Sequence, residues 1–277
     1  MSDMKAVSRY IGLLPLLGLL VALFIYPLLY GVLLSLTNEG GGFTFQNYLK
    51  FFGNPSYSET ILVSLSLGLT VAFLSTALGI IIAIAMTSFK VKVKGFVERL
   101  ILLPMTMGTL MGIQGTIGVL GDTGWFNRFL RDLGLREEPI QFLYTNLAVI
   151  ILLSIGATSF AYLMLSGILK GMDPNIKVAA LSLGANPWRV FWTITFPLII
   201  PGIITVFIFN FVGAFGVYTT ALVLGNPAKP TMAILAYDLA FKMNDWNMSC
   251  AVSMVMVLVE TAILMILFYI IKRSRFA

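Results

Sequence analysis

Histidine is absent from this 277-residue chain, cysteine occurs once, and charged residues make up only 11%. Each scarcity removes a class of chemistry. Without histidine, no side chain has an ordinary pKa near neutrality, so the usual acid-base catalyst and the commonest metal ligand are missing. A single cysteine, Cys250, allows no internal disulfide and reads as a small packing residue. The sequence also has no serine, cysteine or carboxylate constellation at catalytic spacing, no Walker lysine loop and no glycine-rich phosphate cradle. The polypeptide by itself is expected to hydrolyse nothing and to bind no cofactor or metal.

What is present is overwhelmingly apolar. Hydrophobic residues reach 58% and the mean hydropathy is +0.95, which places the chain in lipid rather than water. Crossing about 30 Å of hydrocarbon takes about 20 helical residues. Six stretches are long enough: Tyr10–Leu36, Thr60–Ser88, Leu100–Leu120, Asn146–Leu169, Pro197–Leu224 and Ser249–Ile271. They are continuous runs rather than alternating ones. Because backbone groups in lipid must be satisfied within their own segment, helices are required and a barrel is excluded. The expected fold is an all-α integral membrane protein with six transmembrane helices in a single domain, 1–277. An N-terminal helix, 10–36, precedes a core of about 60–271. The first run follows Lys5 and Arg9 but lacks a small-residue cleavage site, so it reads as a retained anchor and not a signal peptide.

Loop charges orient the spans. With a cytoplasmic N-terminus, the inner segments 1–9, 89–99, 170–196 and 272–277 carry twelve of the 18 basic residues. The outer segments hold eight of the 12 acids. Both termini are therefore expected in the cytoplasm. The net charge of +6 then reflects topology, and no basic patch interleaved with aromatics points to nucleic acid.

The most structured polar segment is 170–197, KGMDPNIKVAALSLGANPWRVFWTITFP. Asp173 and Pro174 supply an N-cap and a first-turn proline, and Gly184 stands where a left-handed residue ends a helix. Asn186 and Pro187 repeat the start signal, so a second short helix is expected through Trp188 and Phe191 toward Pro197. This cytoplasmic hairpin has two readings from local chemistry, a docking element or an amphipathic connector lying in the headgroups.

Within that hairpin, Ala179, Ala180, Gly184, Ile194 and Pro197 stand as AA, three residues, G, nine residues, I, two residues, P. This arrangement resembles the cytoplasmic signature of ABC importer permeases, the membrane components of binding-protein-dependent transport systems. Asp173, Leu183, Ala185, Trp188, Arg189, Phe191 and the stretch PLIIPGI at Pro197 to Ile203 look like the same family, as do FTFQNY at Phe43 to Tyr48 and WFNRFL at Trp125 to Leu130. The resemblance implies a type I importer fold in a bacterial inner membrane. It also implies a coupling helix spanning Lys177, Val178, Ala179, Ala180, Leu183, Gly184, Ala185, Asn186, Trp188 and Arg189, which inserts into a groove on a separate ATP-binding subunit. The implied partners are a second, non-identical permease, two ATP-binding subunits that carry the ATP and Mg, and an external solute-binding protein. One departure stands out: Val178 occupies the position of the glutamate that usually precedes the two alanines, so whatever that carboxylate does is missing here.

The N-terminal layout looks most like the polyamine, opine, phosphonate and ferric-iron branch, and a polyamine or related small charged solute is the expected substrate. Glu260 lies near the centre of the last span, where a carboxylate needs a partner, water or a proton. It reads either as a cation contact in the translocation path or as a hydrogen bond to a neighbouring helix. Gln114, Asn210 and Tyr218 are further path candidates, while they and Ser154, Thr158, Ser159, Thr219 and Thr220 all have an ordinary helix-packing reading. The segment Gly121–Thr145 is expected to form a short amphipathic surface helix around Trp125 and Phe129. With Gly225–Asn247 it offers either a landing area for the binding protein or an interfacial anchor. An ion-coupled secondary carrier is the alternative, but it would ordinarily show inverted repeats and several intramembrane charges, and a membrane enzyme lacks the residues it needs.

Overall fold

The long apolar runs form helices, the one open structure that satisfies its own backbone in hydrocarbon. The computed structural model describes residues 14–38, 40–88 and 93–274, with the side chains of 14, 88, 174, 177 and 270–274 outside the described set. Helix α1 comprises Leu14–Leu20 and Tyr26–Ser35 around a π-helical turn, Val21–Ile25. It is followed by α2 (Gln46–Gly53), α3 (Pro55–Ser88), α4 (Lys94–Thr106), α5 (Thr109–Leu120), α6 (Trp125–Asp132) and α7 (Asn146–Gly171). After α8 (Pro174–Ser182), α9 runs through Pro187–Val190, a π turn at Phe191–Thr195, and Phe196–Phe215. Then come α10 (Thr219–Leu224), α11 (Met232–Tyr237), a π turn at Asp238–Lys242, and α12 (Trp246–Ser274).

Five helices are long and apolar enough to cross a membrane, and α4 with the segment beyond it completes a sixth span if the bent pair is counted as one. That span differs from the expected continuous Leu100–Leu120. Lys94–Thr106 and Thr109–Asp132 meet at 104°, because Met107 and Gly108 adopt extended backbone angles between the two helices. The fifth span differs at both ends. It starts ten residues before the expected Pro197, at Pro187, and stops at Phe215, leaving Thr219–Leu224 as a separate helix. The start of the first expected span, Tyr10, lies outside the described residues. Gly225–Asn247, expected as a loop, holds α11 and its π turn.

Two of the π turns have a common cause. Tyr26 donates its N–H to Val21 O and Phe196 to Phe191 O, and the next residue in each case is a proline, Pro27 or Pro197. A proline ring crowds the carbonyl four residues back and has no N–H to offer it, so the preceding turn widens by one residue and the helix continues.

The chain divides into two compact units, Met1–Glu59 with Leu235–Ala277, and Thr60–Ile234. In the second, α7 is the central helix. It packs against α4, α5, α9 and α10 and buries Ser154, Ala161, Tyr162, Leu165 and Leu169. One apolar cluster gathers Leu67, Val71, Ile113, Val149 and Leu224, and another gathers Ala83, Met86, Tyr162, Leu165, Ile199 and Val206. Lipid tails compete with such contacts on equal terms, so close backbone approach at small residues carries the association. Gly79 provides it: a Cβ there would collide with the Cβ of Ala161 on α7.

In the other unit α12 packs on α1 and α2. A polar clasp closes the C-terminal end of α1. Asn47 donates to the carbonyls of Ser35 and Thr37 at 3.0 and 3.1 Å, and Asn247 donates to Thr37 O at 2.6 Å. Ser35 and Tyr48 share a 2.7 Å hydrogen bond.

Candidate functional site

The hairpin follows the chemistry of its caps. Asp173 accepts the N–H of Asn175 at 2.9 Å and Asn186 that of Trp188 at 3.0 Å, each satisfying a donor orphaned at a helix start. At the other end of α8, Gly184 adopts φ +84°, which glycine reaches without a Cβ clash. Gly184 N–H then bonds Leu181 O at 2.9 Å, and Ala185 N–H bonds Ala180 O at 3.1 Å, closing the last turn. Beyond Asn186 the structure departs from the expected pair of short helices. Only α8 is short, because the second arm continues through the π turn at Phe191–Thr195 into the fifth span. Proline at 197 does not end the helix, since the widened turn accommodates it.

The candidate coupling residues lie on this element. Val178, Leu181, Leu183 and Trp188 are exposed, Leu183 at 89% and Trp188 at 69%. Ala179, Gly184, Asn186 and Arg189 are also exposed, while Ala180 and Ala185 are partly covered. The side chain of Lys177 lies outside the described residues. Trp188 continues into a cluster of tilted and edge-on aromatic rings with Phe191, Trp192 and Phe196. A rigid arm bearing bare apolar residues is thus joined, without a flexible linker, to a membrane span.

The path candidates do not form one cluster. A groove of about 740 Å³ in the unit Thr60–Ile234 is lined by Met107, Gly108, Met111 and Gly115 at the bend, by Phe160 on α7 and by Phe209, Asn210 and Gly213 on α9. Asn210 is 5% exposed. Its Nδ2 donates to Ser75 Oγ at 2.8 Å and to Ala157 O at 3.5 Å, while Ser75 donates its own proton to Val71 O at 2.6 Å. A carbonyl can only accept, so these contacts fix which end of the amide is nitrogen. Oδ1 of Asn210 meets no donor among the described residues, which leaves one amide acceptor on a mostly apolar groove whose other polar side chains are Thr109, Thr116 and Thr220. Gln114 is exposed and does not line it, and Tyr218 lies in the break after α9, packed against the cluster around Leu67 and Leu224. Glu260 belongs to α12 in the other unit, half-buried, with no hydrogen bond or ion pair among the described residues.

Sequence reading missed the polar joint between α4 and α7. Glu98 receives Tyr162 OH at 3.0 Å and Lys170 Nζ at 3.2 Å. The available signal was a lone acid among the bases of the 89–99 segment. The segment Gly121–Thr145, by contrast, contains the expected amphipathic helix. In α6, Trp125 and Phe129 stack with centroids 5.6 Å apart, and buried Asn127 ties the loop through Gly121 O and both backbone groups of Ile140. Among the described residues no group of three or more Cys, Asp or Glu is placed to hold a metal.

Comparison with known proteins converges on one kind of molecule. The family described as binding-protein-dependent transport system inner membrane component matches residues 75–275, a range that includes the hairpin, Glu260 and all of the groove lining except Val71. Among curated relatives, the spermidine/putrescine transport system permease protein PotB of Haemophilus influenzae is 32% identical over 69% of this chain and 68% of its own length. PotB of Escherichia coli is 27% identical over 81% of each. A probable sulfate transport system permease protein, cysT of Zygnema circumcarinatum, is also 27% identical, over 74% of this chain and 70% of its own. Among solved structures, a chain of a bacterial ABC transporter involved in the import of the acidic polysaccharide alginate superposes with a TM-score of 0.85 at 18% identity over 99% of both chains. A chain of the inward-facing MetNI methionine ABC transporter gives 0.57 at 14% identity over 82% of this chain and 97% of its own.

Proposed function

The chain belongs to the binding-protein-dependent transport system inner membrane components, and from that premise we propose how this permease is driven and what it carries. It is a multi-pass inner-membrane subunit of an ABC importer. The hairpin 170–197 faces the cytoplasm and docks on an ATP-binding subunit through its residues 177–189. The single observation that supports this most directly is the bare apolar face of the doubly capped arm, Val178, Leu181, Leu183 and Trp188, a poor surface for water but a good one for a partner's cleft. Two ATP-binding subunits carry ATP and Mg, this chain binding neither, and an external solute-binding protein delivers the solute. A second, non-identical permease completes the path. The capped hairpin passes nucleotide-driven closure into α9 as a rigid displacement.

Substrate identity rests on the relatives. Two PotB proteins match over most of the chain, which favours a polyamine. Glu260, half-buried within α12, fits a cationic solute better than the sulfate of the cysT relative. The groove around Asn210 forms part of the path, its bare amide oxygen accepting a hydrogen bond from an ammonium while the methionines contact the aliphatic body. Nothing in the comparisons favours an ion-coupled carrier.

The test is the reconstituted importer. Gly184→Val should strip the ATP-binding subunits from the copurified complex, and wild-type vesicles should take up labelled spermidine or putrescine only with ATP and the cognate binding protein. Retention of both ATPase subunits by the variant would overturn the docking reading. Competition of uptake by sulfate and not by putrescine would overturn the polyamine reading.

A further inference from the structure

The contact between α4 and α7 combines an apolar seam with directional bonds. Val97, Ile101 and Leu102 pack against the cluster that contains Tyr162 and Leu165. Ser159 Oγ donates to Ile101 O at 2.6 Å. One turn earlier on α4, a single carboxylate oxygen of Glu98 takes both Tyr162 OH, at 3.0 Å, and Lys170 Nζ, at 3.2 Å. Tyr162 is buried, whereas the side chains of Glu98 and Lys170 are 27% and 54% exposed. An ion pair so open to solvent adds little to stability. Nor does Lys170 need Glu98 to hold its place, since a cation in the last turn of α7 is already favoured by the helix dipole.

The bonds decide something the apolar seam leaves loose. Between helices in lipid, sliding exchanges one hydrocarbon neighbour for another at small cost, so register is set by hydrogen bonds and close contacts. Glu98 fixes that register at one particular place. Lys170 lies three residues before Asp173, the cap that begins the hairpin, and Glu98 lies eight residues before Thr106, where α4 ends. Met107 and Gly108, the next two residues, line the groove.

We propose that Glu98, gripped by Tyr162 and Lys170, is a positioning residue that ties the root of the hairpin to α4, so that hairpin displacement reaches the bend at Met107–Gly108 and reshapes the groove wall. This builds on the reading of the hairpin as the ATPase dock. The carboxylate acts through Lys170 on one side and, on the other, through the eight residues of α4 to Thr106, which stay helical across Pro104.

The experiment uses the complete importer in proteoliposomes, comparing Glu98→Gln, Tyr162→Phe, Lys170→Met and the exchanged pair Glu98→Lys with Lys170→Glu. Copurification of the ATP-binding subunits and ATP hydrolysis without binding protein should match wild type. Stimulation by loaded binding protein, and uptake, should fall about five-fold or more in the single variants, the lower end of ordinary coupling effects. The exchanged pair should recover at least half of the loss, and a loss of stimulation while ATPase attachment and basal hydrolysis stay at wild type is what a merely structural contact would not predict. Full stimulation in Glu98→Gln and Lys170→Met overturns the proposal, as does a loss in the singles with no recovery in the exchange. If Glu98→Gln or Lys170→Met fails to assemble, Tyr162→Phe and the exchanged pair decide alone. Gly184→Val separates the two readings, because failure of docking there removes the ATPase itself, whereas failure of the Glu98 joint leaves it bound and unresponsive.

Discussion

Asn210 and Ser75, 135 positions apart, meet at 2.8 Å inside the membrane-embedded unit Thr60–Ile234 and join α9 to α3. The amide nitrogen is spent on this bond and on Ala157 O, which leaves its oxygen without a donor among the described residues.

Replacing Asn210 by leucine therefore has two separable effects. Loss of the interhelical bond should lower stability by about 1 kcal/mol, the scale of such bonds in bilayers, measured by reversible unfolding in mixed micelles. Ser75→Ala should reproduce that loss. Uptake should diverge between them: Asn210→Leu raises the KM for solute, while Ser75→Ala, which keeps the amide oxygen, leaves it near wild type. Equal KM values in the two variants would remove Asn210 from the path.

The hairpin caps make a local prediction. Asp173→Ala and Asn186→Ala should each cost about 1 kcal/mol in the helix that they start. Hydrogen exchange should quicken at Asn175 for the first and at Trp188 for the second, whose N–H groups those side chains accept. Protection within α7 should not change. Faster exchange throughout α7 would mean that the hairpin is not an autonomous capped unit.

Gly79 tests the close crossing of α3 and α7. A valine there has no room beside Ala161 and should force the helices apart, at a cost of about 1–3 kcal/mol, with alanine at the lower end. Ala161→Gly combined with Gly79→Ala should restore part of it, read by thermal aggregation in detergent. Unchanged stability in Gly79→Val would show that the crossing is looser than the contact implies.

Glu260 makes no bond among the described residues, so neutralising it should cost the fold little. Glu260→Gln is expected to reduce polyamine uptake and solute-stimulated ATP hydrolysis together. Wild-type values for both would return Glu260 to a packing role.

Several features were legible without tertiary information because their causes are local. Asp173, Gly184 and Asn186 act on backbone groups within a few residues, and each forms the cap or turn its chemistry implies. The amphipathic pattern at Trp125 and Phe129 likewise reported its helix. Other readings failed where the local signal was ambiguous. Pro197 reads as a helix end, yet a π turn ahead of it absorbs the missing donor and the fifth span runs through. The apolar run Leu100–Leu120 reads as one helix because hydropathy does not register the backbone angles of Met107 and Gly108. Gln114 and Asn210 carry the same amide, and only packing buries one in the groove and leaves the other exposed.

By itself the sequence determined the solvent and the all-helical class, because hydrocarbon leaves the polar N–H and C=O groups of an apolar segment no alternative to the helix, and run length located most of the spans. It also determined where the hairpin begins and turns. The tertiary structure alone decided that α4 meets the segment Thr109–Asp132 at 104°, that Glu98 answers to Lys170 and Tyr162, and that Asn210 gives its nitrogen to Ser75 and keeps its oxygen. Those outcomes depend on which distant helices come together. In lipid that choice is made by close-fitting small residues and a few directional bonds, which leave no periodic trace in any one segment.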